Sequence, residues 1–235
     1  MNSVLECAIK EKRNLTEAEA YEMLSKYGIP VPKYSVVSSE EEAIQIAKKL
    51  GFPLVMKIVS PDIIHKTDIG GIEMNVSNLE QIKKAYKSII YHVMENKPEA
   101  RINGMLFYKQ APKGVEVVVG MIRDPQFGPT VMFGLGGIFI EILKDVTFRV
   151  CPVERADIEE MLTEIQGIKI LQGYRGQPRC DVNAIIDIIM EIARLALDYP
   201  VIKEIDLNPI MVYEKGALVV DGKVFLNKNL SIINE

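Results

Sequence analysis

Two stretches of this chain gather side chains able to do chemistry. The first, SPDIIHKTDIGG at residues 60–71, holds His65, one of only two histidines among 235 residues. Lys66 stands beside it, Asp68 three residues on, and Gly70 and Gly71 just behind. A histidine so placed is a working nucleophile, a satisfied structural side chain or a surface residue of a loop, and the stretch alone admits all three. The second, EIDLNPIMVYEKGALVVDGK at 204–223, carries Asp206 and Asn208 two apart, so a strand would point both to one face. Pro209 is expected to end the pairing, YEKG to turn the chain, and the returning strand to bring Asp221 near Asn208. Two converging oxygen donors suit Mg²⁺, which takes one or two protein oxygens and keeps water and phosphates for the rest. Equally, Asp206 and Asn208 could cap a strand end while Asp221 opens a type I′ turn with Gly222.

Other charges interrupt apolar runs. Lys57 breaks the strand LVMKIV and must reach solvent or an anion, since a buried, unpaired ammonium is costly. Lys57, Lys66 and Lys109 fall on strands or loops expected near the junction of two lobes, and Glu116 interrupts VEVVVGMI in the same way. Cations for phosphates and a carboxylate for ribose or Mg²⁺ explain these interruptions together. The glycines of FGLGG (133–137) fit neither a P-loop, for want of a following Lys-Ser/Thr, nor a dinucleotide fingerprint, and read as a flexible turn. His92, near the end of an amphipathic helix, is assigned no chemistry.

The elements that must position these groups follow from spacing. A helix begins at the capping box Thr16/Glu19 and stops at Gly28; a second begins at Ser39 and stops at Gly51; a third spans 78–94. Strands are expected at YSVV, LVMKIV, GIEMNV, GMLFYKQ, VEVVVGMI, TVMF and IFIEI, then VIKEIDL, IMVY and ALVVD after helices near 157–166 and 182–198. The fold class is therefore mixed α/β (α+β), with two lobes, 1–110 and 111–235, meeting at the hinge-like APKG. A net charge of -4 argues against nucleic-acid or membrane partners. Three widely spaced cysteines and the lack of a signal peptide or spanning segment point to the cytoplasm.

Taken together, PLVMKIVSPDIIHKTDIGGI, RDPQFGPTVMFGLGGIFIEILKDVTFRVCPV, LQGYRGQPRCD and EIDLNPI…VVDGK resemble the beta subunit of the ADP-forming acetyl-CoA synthetases, over about residues 14–222. The resemblance implies an ATP-grasp fold with nucleotide bound between the lobes. It implies that Lys57, with Lys66 and Lys109 nearby, contacts phosphates, and that Gln110, Ala111 and Pro112 offer backbone groups to adenine. It places Glu116 just after that hinge, makes Asn208 and Asp221 the Mg²⁺ pair, and puts Asp206 where a relative has a glutamate beside its phosphohistidine. The N-terminal lobe then carries the phosphohistidine loop, with His65 as phosphoryl carrier to ATP/ADP. Imidazole, neutral near pH 7, attacks phosphorus without prior deprotonation, and Gly70 and Gly71 let the loop swing or approach closely. A CoA-binding alpha subunit, in an α2β2 heterotetramer, handles CoA and acyl phosphate.

Three alternatives compete. A succinyl-CoA synthetase beta subunit is longer and lacks this histidine loop. A regulatory ATP-grasp domain of a protein acetyltransferase system would be free to lose Lys57, His65, Glu116, Asn208 and Asp221, all of which stand here. A carboxylate–amine ligase needs no loop histidine.

Overall fold

The computed structural model describes residues 3–137, 139–176 and 178–227. Helices α1 (Ser3–Lys10) and α2 (Glu17–Lys26) precede β1 (Tyr34–Val37), α3 (Glu40–Leu50), β2 (Leu54–Val59), β3 (Ile72–Val76), α4 (Leu79–Asn96) and β4 (Gly104–Lys109). The chain continues through β5 (Val115–Asp124), β6 (Gly128–Leu135), a π-helical turn (Phe139–Leu143), β7 (Val146–Val150) and α5 (Arg155–Thr163). It closes with α6 (Val182–Asp198), β8 (Ile202–Val212), β9 (Ala217–Val219) and β10 (Gly222–Leu226).

One compact unit is Pro32–Ala111. Its four strands run β1-β4-β2-β3, every neighbour antiparallel. Helix α3 starts where the Ser39 side chain accepts the Glu42 N–H and stops at Gly51, whose φ of 74° lies in the left-handed region. These ends set Ala43 and Ala47 toward the sheet, where they join Ile82, Ile89 and Val93 of α4 over Leu54, Met56, Ile58 and Phe107. At about 25 cal/mol per Å² this burial is the main term holding the unit together.

The other unit joins residues up to Val31 with those from Pro112 onward. Its sheet is β10-β8-β5-β6-β7, antiparallel, with β9 added beside β8. Helix α6, apolar on most of its length, buries Ile185, Ile188, Ile189 and Ile192 and packs on β5, β6 and β8.

The structure corrects the expected lobe of 1–110: its first 31 residues belong to the second unit. The reason is specific contact with the last strands. Leu15 N–H donates to the Val224 carbonyl, the Tyr21 hydroxyl to Val220 and Val219 N–H to Pro30, while α2 packs on β10. Four elements also differ from expectation. Helix α1 was missed. IFIEI is not a strand but a π-helical turn from Phe139, its Ile138 lying outside the described residues, and β7 follows it instead. Pro209 does not end the pairing: β8 runs through it, changing partner from β10 to β9 as the β5 register shifts opposite. A proline needs no N–H where the ladder is already interrupted.

Candidate functional site

Within the unit Pro32–Ala111, His65 stands exposed between two buried anchors, Ile63 and Lys66. The turn around it is held at both ends. Before it, the Asp62 carboxylate takes the Arg101 backbone N–H at 2.9 Å and two guanidinium N–H groups at 2.8 and 3.0 Å. Behind it, Gly71 N–H donates to the Lys66 carbonyl at 2.7 Å, and the Gly71 carbonyl accepts from Ile58 at 2.8 Å. A methyl group on Gly71 would lie 2.9 Å from the Ile58 side chain, and one on Gly70, at φ 67°, would lie 2.8 Å from His92 Nδ1. Both glycines are closely packed in this pose.

Lys57 does not snorkel to solvent. It is 4% exposed in a strand whose six residues are all buried, with Nζ 5.5 Å from the centre of the Tyr108 ring. Lys66 is likewise buried, whereas Lys109 is exposed at the end of β4. Gln110 is fully engaged within its own unit. Its N–H donates to the Pro53 carbonyl, and its side-chain amide both donates to the Asn75 amide oxygen and accepts the Asn75 backbone N–H. The carbonyl side of this hinge is therefore what Gln110 has left for a ligand, and Ala111 follows it at the unit's edge.

In the second unit, the Pro112 carbonyl accepts the Tyr213 hydroxyl at 3.2 Å, bracing the start of β5. Glu116 is exposed, and its carbonyl accepts Gly136 N–H at 2.8 Å. A Cβ on Gly136 would lie 2.9 Å from the Glu116 Cβ, so the glycine-rich stretch is a close-packed support for Glu116 rather than merely a flexible turn. Asp206 and Asn208 share the less buried face of β8, alternating with buried Ile205 and Leu207. The returning chain places Asp221 against Asn208, whose N–H donates to the Asp221 carbonyl at 3.1 Å. Gly222 starts β10 opposite Leu207, with no left-handed φ, so the type I′ turn is not formed. Directly across from Asp206 stands Lys223, its Nζ 3.5 Å from the carboxylate.

Sequence reasoning missed three participants. Lys223 follows the DG it singled out and becomes visible once the strand register is known. Arg101 lies 39 residues from Asp62 and carries no local signal. His92 was left without a role because its neighbour Gly70 lies on a different element.

The donor set at Asn208 and Asp221 is one amide oxygen and one carboxylate, both hard. Such a hard pair is of the kind that suits a Mg²⁺ keeping water and phosphates for its other positions; among the described residues no group of three or more His, Cys, Asp or Glu side chains assembles.

Comparison with known proteins is consistent across sequence and structure. A family model for an ATP-grasp domain matches residues 6–226. The beta subunit of acetate–CoA ligase [ADP-forming] I of Pyrococcus furiosus is 51% identical over 95% of this chain and 96% of its own. The acetate–CoA ligase [ADP-forming] I of Archaeoglobus fulgidus is 41% identical over 97% of this chain but only 33% of its own, a longer polypeptide that contains this region. A chain of Ca. Korarchaeum cryptofilum acetyl-coenzyme A synthetase 1, solved with coenzyme A and Ca-AMPCP, superposes with a TM-score of 0.91, at 45% identity over 95% of this chain and 98% of that one. The same enzyme has been solved with Mg-AMPPCP (TM-score 0.83, 41% identity) and with a phosphorylated phosphohistidine segment (TM-score 0.87, 43% identity), each over the same 95% and 98%.

Proposed function

The chain belongs to the ATP-grasp family, among the beta subunits of the ADP-forming acetate–CoA ligases, and on that premise we propose which of its residues carry the reaction acyl-CoA + ADP + Pi = acid + ATP + CoA. His65 is the phosphoryl carrier. An imidazole nitrogen lone pair attacks phosphorus, the N–P bond forms as the donor's bond to that phosphorus breaks, and the neutral ring later leaves as a β-phosphate oxygen of ADP takes the group. The observation that carries this assignment is the display of His65: an exposed imidazole in a turn anchored by buried Ile63 before it and buried Lys66 after it.

Around that step, Lys57 and Lys66 supply positive charge to nucleotide or transferring phosphates, with Lys109 at the rim. Backbone groups of Gln110, Ala111 and Pro112 meet the adenine, and Glu116 the ribose or metal. Asp206, held by Lys223, orients the phosphorylated ring as a hydrogen-bond acceptor. Asn208 and Asp221 hold Mg²⁺, which when bound spreads the phosphate charge during in-line transfer. CoA and acyl phosphate are handled by an alpha subunit, in an assembly of two alpha and two beta chains in the cytoplasm; the fused Archaeoglobus relative supports such a partner. Among the described residues no helix is long and apolar enough to cross a membrane.

The test is co-expression with the alpha subunit, followed by mixing with acyl phosphate or ATP and measurement of acid-labile phosphate on this chain. His65→Asn is expected to abolish that label and to reduce ADP phosphorylation by at least 100-fold. Unchanged labelling and turnover would falsify the carrier role. The metal assignment is tested separately: Mg²⁺-dependent nucleotide binding is expected to be lost in Asp221→Ala, and binding indifferent both to Mg²⁺ and to that substitution sinks it.

A further inference from the structure

The segment that joins β4 to β5 is braced on each side of Ala111, and the two braces differ in kind. Before it, Gln110 is held three times within its own unit. Its N–H donates to the Pro53 carbonyl at 2.9 Å, and its side-chain amide exchanges two hydrogen bonds with Asn75 at 2.7 and 2.8 Å. After it, Pro112 has no N–H to give, and its carbonyl accepts the Tyr213 hydroxyl at 3.2 Å. Among the described residues Ala111 makes no hydrogen bond, so its N–H and carbonyl are unspent.

The Pro112 end is built around one side chain. A methyl group on Gly114 would lie 2.7 Å from the Val212 carbonyl oxygen and 3.0 Å from the Tyr213 ring. The chain entering β5 therefore lies directly on that ring, an approach that a side chain at 114 would block. Tyr213 is itself tied down through its backbone. Its N–H donates to the Gly216 carbonyl at 3.0 Å, and its carbonyl accepts the Asp181 N–H at 2.7 Å. The Asp181 carboxylate then takes the Gly216 N–H at 2.8 Å and, as N-cap of α6, the Ala184 N–H at 3.1 Å. Tyr213 thus stands on the start of a helix anchored by its buried isoleucines. Burial pushes its hydroxyl above the ordinary tyrosine range, which keeps it a protonated donor at neutral pH.

Resting on the reading that the backbone of residues 110–112 meets the nucleobase, we propose that Tyr213 is a positioning residue for that base. Its hydroxyl fixes the Pro112 carbonyl and its ring supports Gly114, so together they set where the unspent peptide groups of Ala111 are aimed. The base does not react, and a group that only holds it contributes equally before and during phosphoryl transfer. Loss of such a contact raises KM and leaves kcat in place.

The experiment uses the complex with its alpha subunit, assayed with acetyl-CoA, phosphate and varied ADP, and with Mg·tripolyphosphate as a competitor that lacks a base. Tyr213→Phe keeps the ring and removes one hydrogen bond, so the KM for ADP is expected to rise about three- to tenfold. Over the same series kcat at saturating ADP and the inhibition constant of tripolyphosphate are expected to stay within twofold of wild type. Gly114→Ala reaches the same contact from the other side, and is expected to raise the KM at least tenfold with the same split. A wild-type KM in either variant overturns the proposal. So does a loss of ADP affinity matched by an equal loss for tripolyphosphate, which would put the effect on the phosphates or the fold. If the wild-type complex itself binds ADP no more tightly than tripolyphosphate, the link does not hold the base, and the underlying reading has failed and takes this proposal with it. Should Gly114→Ala not fold, Tyr213→Phe decides alone.

Discussion

At the level of one residue, the phosphate-binding role proposed for Lys57 opposes stability. Its ammonium lies within a strand buried on both faces, near an aromatic ring. Desolvating a cation costs more than burying a methylene chain of the same shape. Lys57→Met is therefore expected to raise or preserve the melting temperature while weakening Mg·ADP binding by at least tenfold, readable by a thermal melt and by calorimetry on one preparation. A variant that melts early and binds normally contradicts the assignment. Gly70 gives the opposite case. Gly70→Ala forces a methyl into the His92 ring at a left-handed φ, for an expected loss of about 1–3 kcal/mol by denaturant unfolding. Removing the ring with His92→Ala relieves the clash but leaves the backbone strain of about 1 kcal/mol. At this scale the sequence marked candidates wherever a polar group broke an apolar pattern, as at Lys57, Glu116 and the Asp206–Asn208 pair. It was silent on Asp62–Arg101, because a salt bridge between distant positions leaves no periodicity in either place.

Helix ends were legible for a related reason: capping is local chemistry. The Thr16 hydroxyl accepts Glu19 N–H, and the Glu19 carboxylate accepts the Thr16 N–H at 2.7 Å. Burial alone would raise the pKa of that carboxylate. The Arg13 guanidinium and the Thr16 donors outweigh burial and hold it below the ordinary glutamate range. A depressed folded-state pKa contributes stability above the unfolded value, near 4.5, and loses it as pH falls through the folded one. Glu19→Gln is expected to cost about 1 kcal/mol at neutral pH, with the gap to wild type closing in acid below pH 4.5; a constant gap down to pH 2 contradicts this. Strands were harder to read. In β7 the apolar Phe148 and Val150 face outward, while Thr147 is buried and donates its hydroxyl proton to the Met161 carbonyl. That inverts the alternation by which a strand is recognised. The short apolar run before it satisfied strand and helix patterns alike, and only the surrounding chain decides between them.

On the scale of the whole molecule, the boundary between the two compact units at Ala111 and Pro112 falls at the APKG punctuation. The membership of the first 31 residues was not legible in the sequence, because it depends on contacts across most of the chain. Removing residues 1–31 is expected to leave amide exchange in β2 and β4 unchanged and to accelerate it at least 100-fold in β10. Equal loss of protection in both units would contradict the division. The same arrangement constrains the order in which the protein can be built. Tyr21 meets its acceptor 199 residues later and Asn14 its donor 212 residues later, whereas every strand of Pro32–Ala111 finds its neighbours inside that span. On the ribosome the middle of the chain completes its sheet first, while α2, with its buried Tyr21, Met23 and Leu24, has left the exit tunnel and waits for β10 to be translated. Throughout that interval an apolar helix face stands open to solvent, which makes α2, rather than the glycine-rich stretch at 133–137, the segment where a nascent-chain chaperone has work to do.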